Sequence, residues 1–124
     1  MNFRDFERWL RQYGDAWKNG DPEGAGQLFS PDAAYFETPF TPALVGTAEI
    51  HRYWAEGAKN TQTNVSFGAT VISFESETGF ARWQATFRRV PTNTFVELDG
   101  VLLARFNHDM CCIEFREWWH RRES

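Results

Sequence analysis

Apolar residues Phe3, Phe6, Leu10, Tyr13 and Trp17 recur at steps of three and four, which places them on one face of a helix covering the first 18 residues. Asn2 can cap its start, and Asn19-Gly20 stops it. Asp21-Pro22 opens a second helix, with a carboxylate cap and proline at the first helical position, and Leu28-Phe29 supply its buried end. Ser30-Pro31-Asp32 breaks that helix. A short extended run, Ala33 to Glu37, leads into a loop that Pro39 and Pro42 keep irregular. Thr47 can then cap a third helix from Ala48 to about Gly57, with Ile50, Tyr53 and Trp54 on its apolar side.

After the polar linker Lys59 to Asn64 the period changes from 3.6 to 2. Four strands are expected, Val65 to Phe74, Phe80 to Arg89, Thr94 to Phe106 and Cys111 to His120, joined by connections short enough for hairpins. This order predicts an α+β domain, residues 1–124, with helices on one face of an antiparallel sheet. No internal repeat or domain boundary is visible.

Strand parity separates the two faces of the sheet. Ala81, Trp83, Ala85 and Phe87 share one side; so do Val96, Leu98, Gly100, Leu102, Ala104 and Phe106; and in the last strand Ile113, Phe115, Glu117 and Trp119. Glu117 breaks an otherwise apolar series. A carboxylate on the inner side must find a donor or stay protonated, so it is either a buried structural group or an acid lining a cavity. The opposite side carries Arg82, Arg88 and Arg116 against Glu97, Asp99 and Glu114, together with Trp118, Val101 and Leu103. It reads as a solvated face of cross-strand ion pairs or as the interface of a homodimer.

Composition narrows the partners. Net charge is −4, and the only basic pairs are Arg88-Arg89 and Arg121-Arg122, so a nucleic-acid partner is not expected. No apolar run spans a bilayer, and the N-terminal residues mix charge with aromatics, unlike a secretory signal; a cytoplasmic protein without membrane partner is expected. Cys111 and Cys112 are neighbours without metal-ligand spacing. His51, His108 and His120 form no two-histidine zinc pattern, so neither a metal nor a cofactor is expected. Aromatic residues make up 17% of the chain, more than a small core plainly needs.

The order helix, helix, short strand, helix, meander resembles the nuclear transport factor 2-like superfamily, in particular its SnoaL-like members. The residues that carry the resemblance are Trp17 with Gly20-Asp21, Leu28-Phe29-Ser30-Pro31-Asp32-Ala33-Ala34-Tyr35, Pro39-Phe40, Gly46, Leu98-Asp99-Gly100, Arg105-Phe106 and Phe115-Arg116-Glu117-Trp118-Trp119. It implies a cone-shaped barrel whose curved sheet wraps the three N-terminal helices around an apolar pocket, with two subunits commonly paired through their sheets. Activities in the superfamily range from isomerases, dehydratases and cyclases to proteins without catalysis.

Its ketosteroid isomerase branch holds an enolate oxygen with a tyrosine and an aspartic acid and moves the proton with a second carboxylate. Counted from Gly20-Asp21, the tyrosine falls on Tyr13 and the base on Glu37; counted back from Arg105-Phe106, the aspartic acid falls on Leu102. Steroid isomerisation itself is therefore not expected. Another proton transfer, with Tyr13 as donor, Glu37 as base and Glu117 as an additional acid, is consistent with the residues. The expected ligand is a small apolar or polycyclic molecule. Its walls would be Trp17, Tyr53, Trp54 and Trp83, with Phe87, Leu102, Phe115 and Trp119. The alternative is a ligand-binding or dimerisation module whose aromatics merely pack.

Overall fold

A computed structural model describes all 124 residues. Helix α1 (Phe3–Lys18) begins in a capping box: the Asn2 side chain accepts from the Asp5 amide at 2.9 Å, and Asp5 accepts from the Asn2 amide at 2.9 Å. It ends at Asn19, followed by Gly20 in the left-handed region that stops a helix. Helix α2 is shorter than its pattern suggests, Pro22–Gly26, capped by Asp21. Leu28 and Phe29 do not belong to it: strand β1 starts at Phe29 and runs to Phe36 through the expected Ser30-Pro31-Asp32 break. The break survives as an irregularity in the ladder between Phe29 and Ala34, where Pro31 has no amide to donate.

A two-residue strand β2 (Leu44–Val45) precedes α3 (Thr47–Trp54), which continues into a π-helical turn, Ala55–Lys59. Gly46, with φ of 88°, occupies the cap position of α3, so the cap expected from Thr47 is not made. The long strands follow: β3 (Gln62–Glu75), β4 (Thr78–Arg89), β5 (Phe95–Phe106) and β6 (Cys112–Glu123). The expected polar linker is thus partly strand. The six strands form one curved sheet in the order β2-β1-β6-β5-β4-β3, with free edges at β2 and β3; only β1 and β6 run parallel. No helix is long and apolar enough to cross a membrane.

Helix α1 lies in the concavity of the sheet, and the aromatic side chains meet there. Phe115 sits at the centre, with ring centroids 4.9 Å from Tyr35, 5.3 Å from Tyr13 and 5.9 Å from Trp9. Parity holds for Ala81, Trp83, Ala85 and Phe87 and for Val96, Leu102, Ala104 and Phe106, all buried. It fails at the start of β6. Phe106 pairs with Cys112 whereas Arg105 pairs with Glu114, so Ile113 is the extra residue of a bulge, and Cys112 rather than Ile113 is turned inward and fully buried. Burial raises the Cys112 thiol pKa, which suits packing and not thiolate chemistry. Gly100 faces Trp83 on one side and Trp119 on the other; a side chain there would run into the Trp118 carbonyl and Trp119.

Candidate functional site

Between α1, the α3 segment and the concave face lies a cavity of about 180 Å³. Its size follows from how the elements are tied. Trp17 packs on Trp83 and donates through Nε1 to Gln62 Oε1 at 2.6 Å, which closes one wall against β3. The π-helical turn adds Gly57 and the buried Ala58 to the lining.

The deep end of the cavity is polar. Glu117, inward on β6 and 6% exposed, accepts a hydrogen bond at Oε1 from the Tyr13 hydroxyl at 2.7 Å, and the Tyr13 and Tyr35 hydroxyls lie 3.4 Å apart. Burial pushes the Glu117 carboxyl up to about 8; the bond from Tyr13 pulls the other way, and the charge of Glu37 adds to the rise. Burial and the neighbouring carboxylate also hold Tyr13 and Tyr35 well above the ordinary phenol range. At neutral pH Glu117 is therefore mostly a carboxylic acid. Tyr13 occupies Oε1, while Oε2 has no protein partner, so the acid can donate into the cavity.

Glu37 comes from the end of β1. Phe36 pairs with Arg116 in the parallel ladder, so the next residue comes level with Glu117. Its backbone carbonyl accepts from Trp119 Nε1 at 3.1 Å, and its side chain lines the cavity beside Tyr53, whose phenol is raised by burial and, less, by the nearby Tyr35, Glu117 and Glu37. Glu37 is half-buried, unlike Glu117.

Most residues singled out in the sequence meet here: Tyr13, Glu37 and Glu117 with Trp17, Tyr53, Trp54, Trp83, Phe87 and Trp119. Leu102 and Phe115 do not reach the cavity. Both are fully buried in the layer behind it, where Phe115 is covered by Tyr13 and Tyr35. Leu102 nevertheless lies directly opposite Glu117 in the β5–β6 ladder, so the acid absent from position 102 has a counterpart one strand away. Tyr35, Gln62, Leu98, Arg89 and Arg121 also line the cavity and were not anticipated. Strand alternation alone could have marked Leu98 and the two arginines. His51, by contrast, is exposed, and none of the three histidines reaches the cavity.

Two buried donors are left without a hydrogen-bond partner, the indole N–H groups of Trp54 and Trp83, both on residues that line the cavity. Trp54 lies beside the Tyr35 hydroxyl but outside hydrogen-bond geometry. An unpaired buried donor costs about 1–3 kcal/mol, so the wall is less stable than one whose polar groups are all satisfied.

Fold and site define a cone-shaped pocket domain with a buried acid at its deep end. The SnoaL-like domain family matches residues 10–112, and the chain belongs to that family, within the nuclear transport factor 2-like superfamily. No curated protein matches in sequence. Among solved structures, the epoxide hydrolase/cyclase-like enzyme SalBIII, which acts in pyran ring formation in polyether salinomycin, superposes with a TM-score of 0.82. It is 13% identical over 94% of this chain and 92% of its own. A computationally designed 17-OHP binder gives 0.81 at 14% identity, covering 95% and 96%. A protein described as "Putative Isomerase from Bacillus subtilis" gives 0.81 at 22%, covering 97% and 90%. At these identities the likeness is one of fold.

Proposed function

We propose that this protein catalyses a cofactor-free proton transfer, of the isomerase, dehydratase or cyclase kind, on a small and mostly apolar substrate. The observation that carries the reading is the Tyr13–Glu117 pair, a phenol and a neutral carboxylic acid in contact at the deep end of an aromatic cavity. Glu117 donates through its free Oε2, and Tyr13, donating to Oε1, backs it, so the pair stabilises the charge that develops on a substrate oxygen when a neighbouring carbon loses a proton. Glu37, level with Glu117 and less buried, is the base. For a β,γ-unsaturated ketone the step balances without a co-reactant. Glu37 takes the α-proton, Glu117, with Tyr13 behind it, donates to the enolate oxygen, and the same proton returns to the γ-carbon. The activities named for SalBIII and the Bacillus subtilis protein belong to the same broad chemistry.

The test uses 3-cyclohexenone, whose conversion to the conjugated ketone is followed by ultraviolet absorbance. Wild type accelerates the conversion, and Glu37→Gln reduces the rate by about 10²–10⁴-fold. Glu117→Gln and Tyr13→Phe reduce it by smaller factors. A rate unchanged in both Glu37→Gln and Glu117→Gln, or no acceleration by wild type, overturns the reading in favour of a ligand-binding module.

We further propose that two copies pair through the outer face of the sheet. Trp118 is 42% exposed there and Val101, its register partner, 36%, inside a frame of ion pairs. Sedimentation should show a dimer that Trp118→Ala or Arg82→Glu with Arg116→Glu weakens. A monomer, or a dimer insensitive to these changes, removes the proposal.

A further inference from the structure

Charge appears on the concave face where the aromatic wall ends. The inward series of β4 passes from Trp83, Ala85 and Phe87 to Arg89; that of β6 passes from Glu117 and Trp119 to Arg121 and Glu123. Alternation thus splits the two basic pairs of the sequence. Arg122 goes to the outer face, bonded to Glu97 at 2.8 and 2.9 Å, and Arg88 reaches the Asn93 carbonyl, whereas Arg89 and Arg121 line the mouth of the cavity.

The mouth is organised rather than merely basic. The Arg89 guanidinium lies 5.8 Å from the centroid of Phe87 and that of Arg121 6.0 Å from Trp119, each over a ring of the cavity wall. Glu123 bridges them: its Oε1 is 3.2 Å from Arg89 Nε and its Oε2 3.1 Å from Arg121 Nε. Both contacts use Nε, so the paired terminal nitrogens of each guanidinium have no protein partner. Two guanidiniums against one carboxylate leave a single positive charge, on a chain whose net charge is −4.

We propose that Arg89 and Arg121 form a carboxylate-binding mouth and that the ligand of this cavity is a monocarboxylate built on one small ring. Planar guanidinium forks bind carboxylates through paired bonds, and one net positive charge matches a monoanion better than a phosphate dianion. Volume sets the rest of the molecule. About 180 Å³ is slightly more than the roughly 150 Å³ cavity that takes benzene in another protein, so the space holds a single substituted ring. This narrows the expected apolar or polycyclic ligand to its smallest members, with an anionic end at the rim. The inference rests on the proposed function only for what happens at the deep end; the carboxylate contact stands apart from it.

Titration calorimetry tests it with four ring monocarboxylates, benzoate, phenylacetate, cyclohexanecarboxylate and 4-oxocyclohexanecarboxylate, each against its methyl ester. Wild type should bind at least one acid about tenfold more tightly than its ester, as expected for a hydrogen bond to a charged group. Added salt should weaken that preference, since both guanidiniums are partly exposed. Arg89→Gln with Arg121→Gln should erase it, the corresponding lysine pair should restore part of it, and Glu123→Gln should strengthen it. Glu117→Gln should leave the acid-over-ester ratio unchanged even if turnover is lost, which separates failure of this proposal from failure of the catalytic one. Equal binding of acid and ester, no saturable binding of any acid, a preference that survives the double glutamine variant, or inorganic phosphate competing as well as the acids would each overturn the proposal.

Discussion

Glu114 and Glu117 lie three residues apart on β6 and therefore on opposite faces of the sheet. Glu114 points outward, accepts from Arg116 Nε at 2.7 Å and from Arg105, and is held below the ordinary carboxylate range by those two guanidiniums. Glu117 points inward, meets Tyr13 rather than an arginine, and is raised to about 8. The same side chain is an ordinary ion-pair partner on one face and a neutral acid on the other. What separates them is desolvation without a compensating cation. Over most of their area the two faces differ likewise: exposed cross-strand pairs such as Arg82–Asp99 outside, aromatic contacts around Glu117 inside, with inner ion pairs only at the mouth, where Glu123 meets Arg89 and Arg121.

The largest expected effect is on how stability changes with pH. Glu117 has a folded pKa near 8 and an ordinary value of 4.5, so between those values the folded state holds more protons than the unfolded. Its contribution is complete below about pH 4.5 and is lost as pH rises through 8, by on the order of 5 kcal/mol. Urea unfolding at pH 5 and pH 8.5 measures this, and Glu117→Gln should flatten the curve. Glu114 has the opposite sign. Its folded pKa is depressed, so its contribution is present above the ordinary value and lost as pH falls through the folded one. A stability that still falls as steeply from pH 5 to pH 8.5 in Glu117→Gln would show that a group other than Glu117 carries the effect.

A smaller effect is expected from Tyr13→Phe. It removes the donor that pulls the Glu117 carboxyl down, so that group should titrate higher still in a carbon-13 NMR titration, with about 1–2 kcal/mol of stability lost. A Glu117 pKa that falls would show that Tyr13 does not donate to it. Smallest of all is Asp99→Asn on the outer face, which breaks an exposed pair with Arg82 and should leave the melting temperature nearly unchanged. A loss comparable with that of the inner-face variants would mean that the outer face is covered by a second copy.

Much of this contrast was legible in the chain, because alternation along a strand is a local property. It placed Trp83, Phe87, Leu102 and Glu117 inward and Trp118 outward, as observed. It went wrong where local spacing is interrupted. The bulge at Ile113 exchanges the roles of Cys112 and Ile113, and β1 begins four residues earlier than Ala33 because β6 supplies a partner for Phe29. Neither a bulge nor a parallel partner brought from eighty residues away leaves a periodic signature.

Element order, family resemblance and, outside the bulge at Ile113, the face on which the long-strand residues fall were legible in the chain, since these depend on periods of 3.6 and 2 and on caps. Depth along the cone was decided only by the tertiary structure. Parity puts Leu102, Phe115 and Glu117 on one surface without saying that the first two are packed behind Tyr13 and its neighbours while the third reaches open space. Nor does it show that Tyr35 joins the site from β1, or that Arg89, Arg121 and Glu123 converge at the mouth from strands thirty residues apart. Register and curvature bring those side chains together, and both are set by contacts between distant segments.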